Sequence, residues 1–131
     1  MLQSLAPDTV AAPFGAYAHG VVVPAGRRLV VTSGQLGLAA DDTVPGDAGA
    51  QAAICLANIG AILAAAGGGP SDVVRLNAYV TRREDFAPYM AARDAWLAGS
   101  QHLPASTLMI VGGFTRPQFL VEVEALAALP A

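Results

Sequence analysis

From Val121 onward the segment Phe119-Leu120-Val121-Glu122-Val123-Glu124-Ala125 alternates apolar and acidic residues. Side chains of a strand alternate with period two, so Glu122 and Glu124 share one face while Val121, Val123 and Ala125 share the other. The apolar row is the buried one. With Pro104-Ala105-Ser106-Thr107 upstream, the segment reads as the closing strand pair of a small α+β domain. A carboxylate on such a strand, beside a pocket or a neighbouring chain, is suited to proton transfer. The spacing alone equally describes a solvated strand face, the commoner reading of such a pattern.

The rest of the composition narrows the class of protein. At 131 residues the chain has the length of one domain, spanning 1–131, with room for a substantial core. It is 54% hydrophobic and 13% charged, against about 25% charged in an average globular domain. Such a surplus of apolar side chains points to burial against further copies of the chain, a homo-oligomer. The net charge is -3, and the seven basic residues are all Arg, scattered along the chain. Neither fits a nucleic-acid-binding stripe. The single cysteine, Cys55, excludes an internal disulfide, fits a reducing compartment and reads as an inert core thiol. No basic-then-apolar leader pattern opens the sequence. The alanine-rich run near 52–66, broken by Asn58 and Gly60, reads as too short for a bilayer span. A cytoplasmic protein without membrane contact is expected. His19 and His102 stand apart, and no Cys/His/Asp grouping has metal-ligand spacing.

Along the chain, residues 1–16 read as an irregular arm. Tyr17 to Val23 and Arg28 to Ser33 read as two strands of a hairpin turned at Pro24-Ala25-Gly26. Asp47 is a candidate N-cap for a helix reaching about Ala66. Its apolar positions are Ile54, Ile59, Ile62 and Leu63, with Gln51 and Asn58 on the wetter side. Gly67-Gly68-Gly69-Pro70 ends that helix and is no phosphate loop, since no Lys follows and the glycines close a helix instead of opening one. Val73 to Val80 reads as a strand. A second helix begins at Thr81 or Glu84, tolerates Pro88 in its first turns and runs to Ala98. Residues 105–112 and 118–127 are the last strands. Two helices packed on one face of a mixed sheet close this order of elements.

Several blocks together resemble the Rid (YjgF) family of imine and enamine deaminases. They are Gly15-Ala16-Tyr17-Ala18-His19-Gly20, Val31-Thr32-Ser33-Gly34-Gln35, the helix with Gln51 and Asn58, and Pro104-Ala105 with Val121-Glu122-Val123-Glu124-Ala125. The likeness runs nearly end to end. It implies a chorismate-mutase-like α+β fold, with a mixed six-stranded sheet, two helices on one face, and a homotrimer with clefts between subunits. It further implies hydrolysis of 2-imino or 2-enamino acids to keto acids and ammonia, with no metal or organic cofactor. By this resemblance Glu122 is the carboxylate that positions or deprotonates water, and Tyr17 is a phenol at the cleft mouth. Ser33, Gly34, Ser106, Thr107 and Leu108 line the cleft.

The chain also departs from the family pattern. Ser106 stands where the deaminases carry a carboxylate-binding Arg directly after Pro-Ala, and a hydroxyl supplies neither charge nor a bidentate fork. Met90 stands where many deaminases have Asn, and Leu108 where they often have Cys. The cleft becomes more apolar, which suits a larger or less acidic ligand. Arg93, one helical turn from Met90, is a candidate replacement guanidinium, against the default of a surface arginine. Three functions stay open: deamination; tautomerisation, dehydration or cyclisation of an imine-bearing intermediate; and a non-catalytic small-molecule-binding trimer. Ribonuclease activity, sometimes attached to the family, fits poorly with the acidic balance.

Overall fold

The C-terminal alternation becomes the longest strand of the fold. The computed structural model describes residues 1–131. In chain order the strands are β1 (Gln3–Leu5), β2 (Gly20–Val22), β3 (Arg28–Val31), β4 (Gln35–Leu36), β5 (Val73–Val80), β6 (Ala105–Ile110) and β7 (Val121–Leu129). The helices are α1 (Ala48–Ala65), between β4 and β5, and α2 (Phe86–Leu97), between β5 and β6. β7 lies inside a five-stranded sheet, antiparallel to β3 and β4 on one side and to β5 on the other. β6 adds to β5 in parallel, and the crossover that a parallel pair requires carries α2.

Register then sorts every side chain of the sheet. Val121, Val123, Ala125, Ala127 and Leu129 of β7 join Leu76, Ala78 and Val80 of β5 in the main core. Leu56, Ile59 and Leu63 of α1 and Tyr89 and Leu97 of α2 close that core from the helix side. Glu122, Glu124, Arg75, Asn77 and Tyr79 are left on the opposite face. There only a small cluster of Leu2, Val74 and Ala128 is buried, under the ribbon of β1 and β2.

The α+β class and the two helices on a mixed sheet match the sequence reading, while the strand pairing differs in part. The sheet has five strands, and a separate two-stranded ribbon stands beside it. The expected hairpin does not form: β2 pairs with β1, from within the arm expected to be irregular, and β3 pairs with β7. Pro24 has no N–H to extend a ladder, so the turn at Gly26 (φ 86°) passes the chain from ribbon to sheet edge.

α1 starts where Asp47 accepts the Ala50 N–H at 2.8 Å. It stops at Gly67, whose φ of 88° permits paired bonds from Gly67 N–H to Ala64 O and from Gly68 N–H to Leu63 O. At 18 residues and a mean hydropathy of 1.7, α1 has the length and composition of a membrane span, contrary to the sequence reading. Its Leu56-Ile59-Leu63 stripe instead packs in the main core. α2 begins after a 3-10 turn at Arg83–Asp85, where buried Asp85 receives both Arg82 Nη2 (2.8 Å) and Nε (3.0 Å).

Gln51 lies on the buried side of α1 instead of the wet one. The amide is fully partnered: its nitrogen donates to Pro45 O and Gln118 O, and its oxygen accepts the Leu120 N–H, each at 2.8 Å. It therefore ties the loop before α1 to the entrance of β7. Gln51→Leu removes three part-buried hydrogen bonds to the main chain, at about 1 kcal/mol each. A loss of roughly 3 kcal/mol in stability is expected from urea denaturation, with an unchanged m-value.

Candidate active site

Glu122 sits in the middle of the sheet, opposite Leu36 of β4 on one side and Tyr79 of β5 on the other. The passage from β3 to β4 is held over β7 by two bonds at 3.0 Å: Thr32 N–H donates to Ala125 O, and Ala125 N–H donates to Thr32 Oγ1. The next residues, Ser33 and Gly34, are thereby laid against Glu122. A Cβ on Gly34 would stand 2.8 Å from the Glu122 carboxyl carbon and 3.0 Å from its Cγ. A side chain at position 34 would displace the end of Glu122, so the glycine lets the carboxylate lie where it does, with no demand from the backbone angle.

The two acids of β7 differ in their surroundings. Glu124 receives the Tyr79 hydroxyl at 2.5 Å, a bond that raises the phenol's pKa. No hydrogen bond from the protein reaches Glu122. Partial burial first, and the charge of Glu124 second, hold the Glu122 carboxyl above the usual carboxylate range. A half-exposed acid with free lone pairs and a raised pKa can accept a proton from water and return it. Cys55 is no competitor: it is buried, its Sγ points to Val121 O at 3.7 Å, and burial pushes its thiol up to about 12.

The other expected site residues lie elsewhere on the protomer. Ser106 and Leu108 stand opposite Leu76 and Ala78 and share their helix-side face. Leu108 and Met90 pack against the main core. Thr107 faces the other way, and its Oγ1 receives Arg75 Nη2 at 2.6 Å while Arg75 Nε donates to Asn77 Oδ1 at 2.8 Å. Tyr17 lines a groove of about 420 Å³ with Leu2, Leu5, Pro13 and Leu103, and its hydroxyl accepts the Phe14 N–H at 3.1 Å. The strap that carries Tyr17 is fixed to the start of β6 through Ala18, which donates to Pro104 O at 2.8 Å and bridges Ala105.

Within one protomer these residues form two groups. Ser33, Gly34 and Glu122 lie together at β4 and β7. Ser106, Leu108, Met90 and Arg93 belong to the β6 and α2 side, with Tyr17 on the strap at the β6 edge, while Thr107 of β6 faces the Glu122 side of the sheet. β5 separates β6 from β7, so two strand spacings, about 10 Å, divide the groups, and Glu122 and Ser106 point to opposite faces of the sheet.

Sequence reasoning placed Arg93 on the solvent side by default, but it is buried, at 2% exposure. Its Nε donates to Asp94 at 3.1 Å and its guanidinium lies 5.9 Å from the centroid of the Tyr89 ring. The reading missed Tyr79 as the partner of Glu124, and the Arg75-Asn77-Thr107 cluster. The period-two spacing of Arg75, Asn77 and Tyr79 was the available signal. His19 contacts Ala11 O at 2.6 Å and His102 contacts Val73 O at 3.1 Å, both away from Glu122. Arg116 is exposed on its loop, 5.8 Å from the Phe119 ring. No three His, Cys, Asp or Glu side chains are grouped so as to hold a metal ion.

The raised carboxyl pKa has a sign that stability can report. An acid with a raised folded pKa contributes stability below its unfolded pKa and loses it as pH rises through the folded value. Glu122→Gln removes that dependence. From about pH 4 to about pH 7, the thermal midpoint of the wild type is expected to fall relative to that of Glu122→Gln. A wild-type advantage that grows over this range contradicts the assignment.

The comparisons with known proteins agree with this fold. A family model described as Endoribonuclease L-PSP matches residues 8–129. The chain is 30% identical over 131 residues to a 2-iminobutanoate/2-iminopropanoate deaminase of Escherichia coli (strain K12), covering 97% of this chain and 98% of that protein. The crystal structure of a Yersinia pestis protein of unknown function from the conserved Rid family, YyfB, superposes with a TM-score of 0.88 at 30% identity, covering 98% of both chains. E. coli TdcF with bound serine superposes at 0.72 with 26% identity, over 96% of this chain and 98% of that one. The sequence blocks, the mixed sheet with its two helices and these matches converge: the chain belongs to the Rid (YjgF) family.

Proposed function

We propose that this protein hydrolyses a small imine or enamine to a keto compound and ammonia, with Glu122 as the proton-transferring carboxylate. The observation that carries the reading is the state of that carboxyl. It has no hydrogen-bond partner, has a raised pKa and is pressed against a glycine that leaves one side open. An imine carbon is already electrophilic, so the reaction needs an oriented water and a proton acceptor. Water adds to the C=N carbon as Glu122 takes its proton. That proton then passes to nitrogen, and the carbinolamine collapses to C=O with loss of ammonia. No metal or organic cofactor enters this scheme.

The ligand cleft is proposed to lie between copies of the chain in a cytoplasmic homotrimer. Supporting this, the residues that resemble the family's site occupy opposite faces of one sheet, so a neighbouring copy is needed to unite them. Exposed apolar side chains also crowd both edges of the sheet, with Leu29 at 64% and Val31 at 75% on β3 and Met109 at 48% on β6. Unpaired strand edges of this kind favour association. The cleft would then be bounded by Tyr17, Ser33, Gly34, Met90, Arg93, Ser106, Thr107, Leu108 and Glu122. Substrate is a small molecule, and no nucleic acid is involved.

Ser106 favours a second reading. Without an Arg at this position, the same Glu122 would serve a tautomerase, dehydratase or cyclase acting on an imine-bearing intermediate, or the cleft would only bind its ligand. Freshly generated 2-aminoacrylate separates the two. Ammonia release above background is expected from the wild type, with a fall of about 100-fold or more in Glu122→Gln. Equal background rates from both proteins exclude the deaminase.

A further inference from the structure

Two buried polar atoms have no partner in this fold, and both lie on one stripe of α2. They are Nη2 of Arg93 and the hydroxyl of Tyr89, spaced i, i+4. Buried donors in native proteins are almost always satisfied, and an incompletely paired buried guanidinium is among the costliest exceptions. Arg93 is partly balanced by Asp94, whose own side chain is 48% exposed and engages only Nε. The two N–H groups on Nη2 and the phenolic O–H are left as donors. Their natural complement is an acceptor with two oxygens and a negative charge.

The main chain above this pair is poorly anchored. Gly15 covers Nη2 so closely that a Cβ there would stand 3.2 Å from it. The strap from Pro7 to Tyr17 bonds only to itself and to His19. Its bonds run from Val10 N–H to Pro7 O, Tyr17 N–H to Gly15 O and Phe14 N–H to Tyr17 Oη, with the His19 ring contacting Ala11 O. It can lift about Ala18 at the cost of one hydrogen bond outside itself, the exposed contact between the His19 ring and Ala11 O. Ala18 is also where the strap meets Pro104 and Ala105, the residues directly before Ser106.

We propose that Arg93, with Tyr89 beside it, is the anchor for the carboxylate of the ligand, reached when the Gly15 strap lifts. A guanidinium absent from β6 is thus supplied from α2, beneath the strap that meets the start of that strand through Ala18. The ligand is a small organic acid, not a neutral imine. This rests on the reading above for the identity of the reacting group, but the anion site itself does not depend on turnover.

The test uses 2-oxobutanoate and its uncharged amide with the full-length, 15N-labelled protein. Titration followed by NMR is expected to shift the Arg93 Nε–H resonance with the acid and leave it unmoved by the amide. Arg93→Met should weaken binding of the acid by about tenfold or more, while Arg116→Met, on an exposed loop, stays within about twofold. Equal affinity in wild type and Arg93→Met overturns the proposal. If Arg93→Met does not fold, an Arg93 resonance that stays put while the wild type saturates with acid overturns it equally. Because the probe is not hydrolysed, failure of the imine assay with Arg93-dependent binding intact removes only the hydrolase reading. Failure of binding with ammonia release intact removes only the anchor.

Discussion

β7 holds the rest of this structure in place. It pairs along its length with β3, β4 and β5, so its alternation of apolar and polar residues fixes the two faces of the whole sheet. A shift of one residue would carry two carboxylates into the core and five apolar side chains out of it. The same register that seats Val121, Val123 and Ala125 beneath the helices places Glu122 on the other side, next to Tyr79 and against Gly34. Core and chemistry are therefore one arrangement, and neither can move without the other.

From that constraint follows the division of the family-like residues into two groups. β6 extends the sheet in parallel beyond β5, and its helix-side residues, Ser106 and Leu108, are turned away from Glu122 by the period of the strand. The distance between the groups is a property of strand spacing, not of side-chain rotamers, so no local rearrangement within a protomer brings them together. A neighbouring copy can. The chain's low charge and its apolar sheet edges are what such an assembly would cover.

Much of this was legible in the sequence because the signals are local. The alternation in 121–125, the Asp47 cap and the Gly67 stop each depend on neighbouring residues, and each appears where its pattern places it. What was not legible depends on partners far along the chain. Gln51 reads as a wet helix position until its three bonds to the 45, 118 and 120 main chain are seen. β1 has no alternation of its own and exists because β2 needs a partner. Arg93 looks like a surface arginine, since nothing in the sequence says that the segment around Gly15 returns to cover it. Pairing with Glu124 likewise separates Tyr79 by 45 residues from its acid.

The claim that the site is completed only between protomers can be tested by joining its halves. In a Ser33→Cys/Ser106→Cys variant the two thiols belong to opposite groups, three strand spacings apart at about 14 Å in one chain. The native Cys55 is too buried to compete. A short, rigid dimaleimide is expected to link these thiols between chains, giving covalent dimers and trimers on a denaturing gel. Chains that stay at monomer mass, bridged internally or capped singly at both thiols, would contradict the account.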